Sequence, residues 1–507
     1  MSGSKIVSLD ELAAISRKLK QKGDRVVQCH GAFDLMHVGH IRHLQRAREE
    51  GDALLVTITG DAYINKGPGR PVFNEQLRAE NLAALACVDY VALVQDATAV
   101  EALHKIQPSI YAKGSDYRTH NDDITGNIAR EKEAVEAHRG RIFYTDELTF
   151  SSSNLLNEHF GVFPPETKEY LKSFRANWSD GDVRKMLQSL SNARVLVVGD
   201  AIIDEYHYTA PMGQAGKGNI LAVRYESEEK FAGGAMAVAN HIAGFCEQVT
   251  LVTGLGEINS HEAFIRSKLL ANVTPEFFCI RGAPTVTKRR FVDGDLAKLF
   301  EVYFYKEDPV LGPTEQDVCQ WLEKHISGFD VVVVPDFGNG FISSRMIEIL
   351  CRCAPYLAVN TQINSGNRGF HVIHRYPRVD FASLNEPEVR LASYNRHDPI
   401  ETVAKKVCDR IGARFFAVTR GTRGVVMLDR TRDVLHTVPA LSTKVIDRIG
   451  AGDAFLSLTG LCLGTGLPSE VAAFIGSAAA ALDVQIVCNR EPVSSINLNK
   501  YVTTLLK

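Results

Sequence analysis

Three histidines and an aspartate fall within the stretch CHGAFDLMHVGH, Cys29 to His40. Such a set suits a metal site, a phosphate-handling loop or an ordinary core turn, and the flanking residues choose between them. Upstream, DRVVQCH is a short β-branched run that reads as a buried strand. Downstream, GHIRHLQRAREEGD sets Ile41, Leu44 and Ala47 at helical spacing, with charges between them and Gly51 as the stop. The stretch is therefore a strand, a glycine-containing turn and the first turn of a helix. Unpaired backbone N–H groups and a partial positive charge at a helix start attract phosphate. His37 and His40 share one face of that turn, and both can donate to phosphate oxygens. Gly31 and Gly39 admit a close approach of the backbone. No third or fourth ligand stands nearby to complete a zinc site.

A second chemical set lies near the other end of the chain. DRIGAGDAF, Asp447 to Phe455, runs a Gly450-Ala451-Gly452 turn into a helix of small residues. This is again an anion hole built from backbone N–H groups. Asp453 falls in the first helical turn, beside the bound phosphate. There a carboxylate can accept a proton from an attacking hydroxyl.

These two sets need separate scaffolds, and the length supplies them: 507 residues predict two or three domains. From about Val26 to Phe160, VVQC, ALLVTIT, YVALV, SIYAK and RIFYT alternate as strands with amphipathic helices, which predicts a parallel sheet covered by helices. A stretch with paired prolines and polar helical pieces follows and reads as a linker. A second α/β pattern starts at RVLVVGDAIIDEY and continues through VTLVTGLG, VVVVPDFG, YLAVNTQ and FFAVTRG. The expected division is 1–160 for the first domain, 161–190 for the linker and 191–507 for the second domain. VAAFIGSAAAALDVQIV reads as a packed helix leading into a strand.

Composition narrows the partners. A net charge of −3 with 23% charged residues describes an ordinary soluble protein without the clustered basic excess of a nucleic-acid surface. The N-terminal MSGSKIVSLDEL has no apolar signal core, and no apolar run is long enough to span a bilayer. Ten cysteines without framework spacing predict reduced, buried thiols and a cytoplasmic location. No nucleic acid and no membrane are expected as partners.

GAFDLMHVGH resembles the nucleotidylyltransferase superfamily signature G-x-F-D-x-x-H-x-G-H at every fixed position. The resemblance covers roughly residues 24 to 160 and, through NKGPGRPV, VDYV and KGSDY, is nearest to the heptose 1-phosphate adenylyltransferase branch. It implies that His37, His40 and Lys66 act on the phosphates, with Gly31, Phe33 and Arg78 on the nucleotide. Ser151, Ser152 and Ser153 either cap a helix near the triphosphate or form an ordinary helix cap. The chemistry is self-consistent. A substrate phosphate attacking an α-phosphorus needs no protein base, only in-line placement and neutralisation of growing charge.

DRIGAGDAF is similar to the G-A-G-D motif of the ribokinase (PfkB) family of sugar kinases, and this second resemblance covers about residues 192 to 500. It implies Asp453 as the base and Gly450, Ala451, Gly452, Thr419, Gly421 and Gly424 on the nucleotide. It places Asp204, Gly233, Gly234 and Asn240 on the sugar, with Asn385 and Glu388 organising Mg²⁺. Arg448 and Ile449 stand where the family carries threonine, Ala237 replaces an expected asparagine, and VNTQINSGNRGF replaces an Asp-Pro pair. No Walker A motif occurs, and GQAGKGN reads as a lid loop.

The expected fold is α/β in two domains, a Rossmann-like nucleotidylyltransferase and a ribokinase-like domain with a small β lid. Both domains together resemble the bifunctional heptose 7-phosphate kinase and heptose 1-phosphate adenylyltransferase family, in reversed order. The expected activities are ATP-dependent phosphorylation of a sugar phosphate and nucleotidyl transfer to a sugar 1-phosphate, releasing pyrophosphate. ATP or another nucleoside triphosphate and Mg²⁺ are the cofactors, small-molecule sugar phosphates the partners. NILAVRYESE and KLFEVYFYKE could pair two copies through the kinase lid. The alternative is a cytidylyltransferase for an alcohol phosphate fused to a kinase-like sensor of a sugar.

Overall fold

The computed structural model describes residues 5–64, 70–96, 98–114, 127–145, 163–367 and 369–506. The chain divides into two units, Met1–Pro164 with Asn499–Lys507, and Pro165–Leu498.

In the first unit, β1 (Val26–Gly31), β2 (Ala53–Thr59), β3 (Tyr90–Val94), β4 (Ile110–Gly114) and β5 (Arg141–Thr145) form one sheet in the order β3-β2-β1-β4-β5. Every pairing is parallel. Each of the five expected strands is present, and the sheet is covered on both faces because parallel strands need helical crossovers. Order reverses beside β1, the position where ligands gather at the carboxyl ends of such sheets. The signature turn leaves from that end. Its helix, Val38–Glu49, packs Leu44 and Ala47 into a core with Val27, Leu54, Val56 and Ile110.

In the second unit, β6 (Arg194–Val198), β7 (Ala201–Gln214), β8 (Leu221–Gly234), β9 (Gln248–Ile258), β10 (Val273–Pro284), β11 (Val286–Val292) and β12 (Lys298–Phe304) come first along the chain. They are followed by β13 (Val331–Asp336), β14 (Leu357–Thr361), β15 (Phe381–Asn385), β16 (Phe415–Thr419), β17 (Val425–Asp429) and β18 (Val434–Val438). One sheet runs β10-β9-β6-β13-β14-β15-β16-β17-β18, parallel as far as β16 and antiparallel at β17 and β18. A separate four-stranded sheet, β12-β11-β7-β8, is the expected lid, and the two segments expected to pair copies are its edges. β13 is buried along its whole length and β6 from Val195 onward, as expected of strands covered on both faces.

Two stretches depart from the sequence reading. The expected linker is instead two helices, Pro165–Asn177 and Asp180–Ser189, belonging to the second unit. Leu171, Phe174, Val183 and Leu187 are buried, Phe174 stacks on Phe474 at 4.3 Å, and Trp178 donates to Glu470 at 3.0 Å. Polar spacing between those apolar residues disguised an amphipathic pair as a solvated connector. The second departure follows the helix Ser469–Asp483, where turns replace the expected strand. The Val484 carbonyl there accepts from the N–H groups of Ile446 (2.7 Å) and Asp447 (3.3 Å), tying this turn to the one before Gly450. All ten cysteines are free thiols, and among the described residues no helix is long and apolar enough to cross a membrane.

Candidate active sites

His37 is the N-cap of the helix Val38–Glu49, and its Nδ1 accepts from the Gly39 N–H at 3.1 Å. The neutral ring therefore carries its proton on Nε2 and offers that atom as a donor. Burial holds the His37 pKa below the ordinary imidazole value, which keeps the neutral form at pH 7. The His40 ring stacks on it with centroids 3.9 Å apart, and Phe33 meets His40 edge-on. The expected histidine pair is thus assembled at a helix start, by the cap and by ring packing. His30, the third histidine of the stretch, is tied into the sheet through Thr57 (3.0 Å) and Thr59 (3.3 Å).

Two residues expected on the nucleotide do other work. The Phe33 side chain is buried, at a backbone φ of 46°, where its ring shapes the turn beside Gly31. Arg78 is wholly buried in the helix Glu75–Ala83. It donates to the carbonyls of Ala32 (2.5 Å), Thr59 (2.8 Å) and Phe73 (3.0 Å) and to Asp61 at 2.6 Å. It is a clamp between the signature turn and the end of β2, because its fork matches several carbonyls at once. Arg78→Met should cost about 3–5 kcal/mol, the range for breaking a buried pair. The expected readout is an earlier denaturant transition of the first unit, with an unchanged KM for the nucleotide. A raised KM at unchanged stability would restore the ligand role. Lys66, Ser151, Ser152 and Ser153 lie outside the described residues.

A contact invisible in the sequence joins the turn to the segment after Lys66. Asp34 accepts from the N–H groups of Val72 (2.7 Å) and Phe73 (3.1 Å) and from Arg70 at 3.3 Å, with both charged side chains almost fully buried.

In the second unit, Gly450 caps the helix Ala451–Gly464 at a φ of 103°. A Cβ there would lie 2.5 Å from Asn489 Oδ1 and 2.6 Å from Asp483 Oδ2, so only glycine fits. Gly452 and Asp453 follow in the first turn. The Asp453 carboxylate has no hydrogen bond or ion pair among the described residues. Burial pushes its pKa up to about 7; Asp204 and Glu388 add to the rise and Lys288 opposes it. A carboxyl poised near neutrality is suited to proton transfer.

The lid brings its charged face to the same place. Asp204 on β7 lies opposite Lys288 on β11, and Arg290 bridges Asp204 and Glu301 of β12. A Cβ on Gly233 would collide with Asp204 Oδ2, while Gly234, at a φ of 60°, would push a Cβ into the Asp200 carbonyl at 2.4 Å. The paired glycines thus let β8 pass close to the carboxylate. Asn240 does not join them. Its amide donates to the Lys268 carbonyl (2.9 Å) and accepts from the Leu270 N–H (3.0 Å), so it fixes the loop before β10. One helical turn separates it from Ala237, the position where the resemblance expects asparagine.

Asn385 and Glu388 form a reciprocal cap at the start of the helix Glu386–Ser393. Asn385 Oδ1 accepts from the Glu388 N–H (2.9 Å) and Glu388 Oε2 from the Asn385 N–H (2.8 Å). Glu388 Oε1 takes the Ile363 N–H at 3.2 Å, and burial raises its pKa to about 7. No group of three or more His, Cys, Asp or Glu side chains converges to hold a metal among the described residues. The pair's oxygens accept from backbone N–H groups, and the role the resemblance implies for it is to organise Mg²⁺ and its water shell, not to ligate the ion directly. Thr419 ends β16, and Gly421 and Gly424 turn the chain into β17 at φ 58° and 75°. Arg420 and Arg423 of that turn reach Glu386 at 3.2 and 2.6 Å.

Sequence reading missed Lys288, Arg290, Glu301 and Asp483. The first three lie on the hairpin of β11 and β12, and only the non-local pairing of β11 with β7 brings them to Asp204. Asp483 sits in an alanine-rich helix without a motif.

Comparison with known proteins agrees with both halves. Residues 192–493 match the family described as pfkB family carbohydrate kinase, and residues 29–168 match the cytidylyltransferase-like family. The bifunctional protein HldE of Geotalea uraniireducens is 42% identical over 143 residues, 28% of this chain and 28% of that one. Its namesake in Methylobacillus flagellatus is 41% identical over 157 residues, 30% and 31% of the two chains. The matches therefore span under a third of these relatives' length, in the N-terminal region of this chain. Phosphofructokinase-2 of Escherichia coli, solved with substrates and products, superimposes with a TM-score of 0.50 at 14% identity, covering 62% of this chain and all of that one. That likeness is one of fold.

Proposed function

We propose, from the premise that this chain belongs to the pfkB family of carbohydrate kinases, that it is a two-headed enzyme of nucleotide-sugar supply. Its second unit phosphorylates a sugar phosphate of the heptose 7-phosphate kind from ATP. Its first unit joins a nucleotide to a sugar 1-phosphate and releases pyrophosphate. The relatives named bifunctional protein HldE match the first unit and support its nucleotidyl transfer by sequence. The observation that carries the reading is Asp453, an unpaired carboxyl held near neutrality in the first turn after the Gly450–Gly452 hole.

In the kinase half, the acceptor hydroxyl gives its proton to Asp453 Oδ as its oxygen attacks the γ-phosphorus, and ADP leaves. Backbone N–H groups at the helix start hold phosphate oxygens. Mg²⁺ arrives as part of the nucleotide substrate. In the first unit, the acceptor phosphate is already an anion, so His37 Nε2 and the neighbouring His40 stabilise charge on the triphosphate instead of moving a proton. Lys66 and the Ser151–Ser153 run complete this site in the proposal. Two copies pair through edge strand β12, whose Phe300, Val302 and Phe304 are exposed, and the mass in solution checks this.

One observation favours the second reading, a kinase-like sensor. Asp204, the carboxylate expected on the sugar, is engaged by Arg290. Phosphorus NMR with Mg²⁺, each nucleoside triphosphate and a panel of sugar phosphates separates the two. ADP and a new anomeric phosphate signal support the kinase. Pyrophosphate and a nucleotide–sugar signal without any ADP support the sensor, and silence in both overturns the proposal.

A further inference from the structure

Three consecutive cations, Lys288, Arg289 and Arg290, stand on β11. Arg289 faces one side of the lid sheet and pairs with Glu205 at 2.7 Å. Arg290 faces the other side and is matched by Asp204 and by Glu301. Lys288 shares the face of Arg290, two residues away along the strand. It is 6% exposed, yet its ammonium has no hydrogen bond or ion pair among the described residues. Instead it lies 5.7 Å from the ring centroids of both Tyr303 and Phe337. Tyr303 is its cross-strand neighbour on β12, and Phe337 follows β13 in the main sheet, so the side chain reaches from the lid to the body of the unit.

A buried ammonium whose N–H donors meet no acceptor is costly, and desolvation pulls the Lys288 pKa down. Asp200, Asp204 and Glu301 act on it through space, yet none of them contacts the ammonium: Arg290 takes Asp204 and Glu301, and Asp200 accepts from the Phe337 and Phe341 N–H groups. A second anion-seeking element, the Gly450–Gly452 turn, belongs to the same charged pocket through Asp453.

We infer that Lys288 is the anion-binding residue of the kinase half, where its ammonium holds a phosphate dianion in ion-pair contact. The dianion comes either from the phosphate monoester of the acceptor or from the γ-phosphoryl group of the nucleotide. This inference rests on the kinase reading of the second unit. It deepens that reading by assigning the charge that a phosphorylated acceptor or the transferring group would meet. The aromatic flanks fix the ammonium without neutralising it, so its charge is available when the ligand arrives.

The test uses the full-length protein as wild type, K288Q and K288R, titrated calorimetrically with inorganic phosphate, Mg-ATP and Mg-ADP. K288Q is expected to lose one phosphate-binding event or weaken it by roughly ten- to hundredfold, the worth of a charge-assisted contact, while K288R retains it. If the ammonium serves the acceptor, phosphate affinity alone falls and Mg-ATP affinity is unchanged. If it serves the γ-phosphoryl group, Mg-ATP affinity falls and Mg-ADP affinity is unchanged. Equal affinities for phosphate and for Mg-ATP in wild type and K288Q overturn the inference. So does a loss in K288Q that K288R shares in full, since charge would then not be the cause. Should K288Q fail to fold, K288M and K288R carry the same comparison, checked by unchanged Mg-ADP binding. Failure of the kinase reading is seen separately, as wild type that forms no ADP with any acceptor.

Discussion

Asp453→Asn is expected to lower ADP formation by about 10³-fold, within the range set by loss of a general base. Pyrophosphate release by the first unit should be unchanged, because Asp453 belongs to the other unit. The pH dependence gives an independent check. Burial raises the Asp453 pKa to about 7, and a base must be deprotonated to work. Kinase kcat should therefore rise with pH through an apparent pKa near 7, and a limb near pH 4 would contradict the buried site. The stability consequence has the opposite sense. The unfolded carboxyl titrates near 3.9, well below the folded one. Its stabilising contribution is therefore complete below about pH 4 and is lost as pH rises through about 7. At pH 8 the wild type holds a carboxylate disfavoured by its surroundings, whereas D453N holds none. D453N should then melt at an equal or higher temperature than wild type at pH 8 while being inactive as a kinase. A variant less stable at pH 8 would mean that Asp453 is a structural carboxylate and not a catalytic one.

The second large effect is at the histidine pair. His40→Ala should reduce pyrophosphate release by about 10²–10³-fold, the usual loss for one donor aimed at developing charge. ADP formation should be untouched. His37 needs two variants, since its Nδ1 also caps the helix Val38–Glu49. His37→Ala removes both the cap, worth about 1 kcal/mol, and the donor. His37→Asn keeps a good capping oxygen and removes only the ring. Both should lose nucleotidyl transfer to a similar degree, with His37→Asn melting close to wild type. An active His37→Asn would show that the residue matters as a cap alone. Steady-state assays of pyrophosphate and ADP on the same preparations make the two halves internal controls for each other.

The misreadings were local in origin. Arg78 was expected on the nucleotide from the family resemblance, by its spacing after the lysine loop, yet the three carbonyls that engage it come from β2, from the signature turn and from Phe73, just before the N-cap of its own helix. Asn240 was expected on the sugar as the asparagine one turn beyond Ala237, where the resemblance calls for one. That turn takes its amide to the Lys268 carbonyl. The expected linker hid Phe174, whose partner Phe474 lies far along the chain. Asn385 and Glu388 were legible as a pair, but their spacing is also that of a capping box, and the cap is what their side chains make.

The sequence by itself determined the two anion-binding turns and the strands that aim them. Glycine spacing, a small-residue or amphipathic helix and a β-branched run are local signals, and backbone N–H groups at a helix start need no distant partner to bind phosphate. It also separated the chain into two α/β patterns with different motifs. Tertiary structure alone decided the electrostatics. That Asp204 is matched by Arg290, that the Lys288 ammonium is left without a direct partner and that Asp453 is held near neutrality all depend on β7, β11 and β12 meeting the helix Ala451–Gly464. Charges in a buried site act through distance and loss of water, and both are fixed only when segments remote in sequence are packed together.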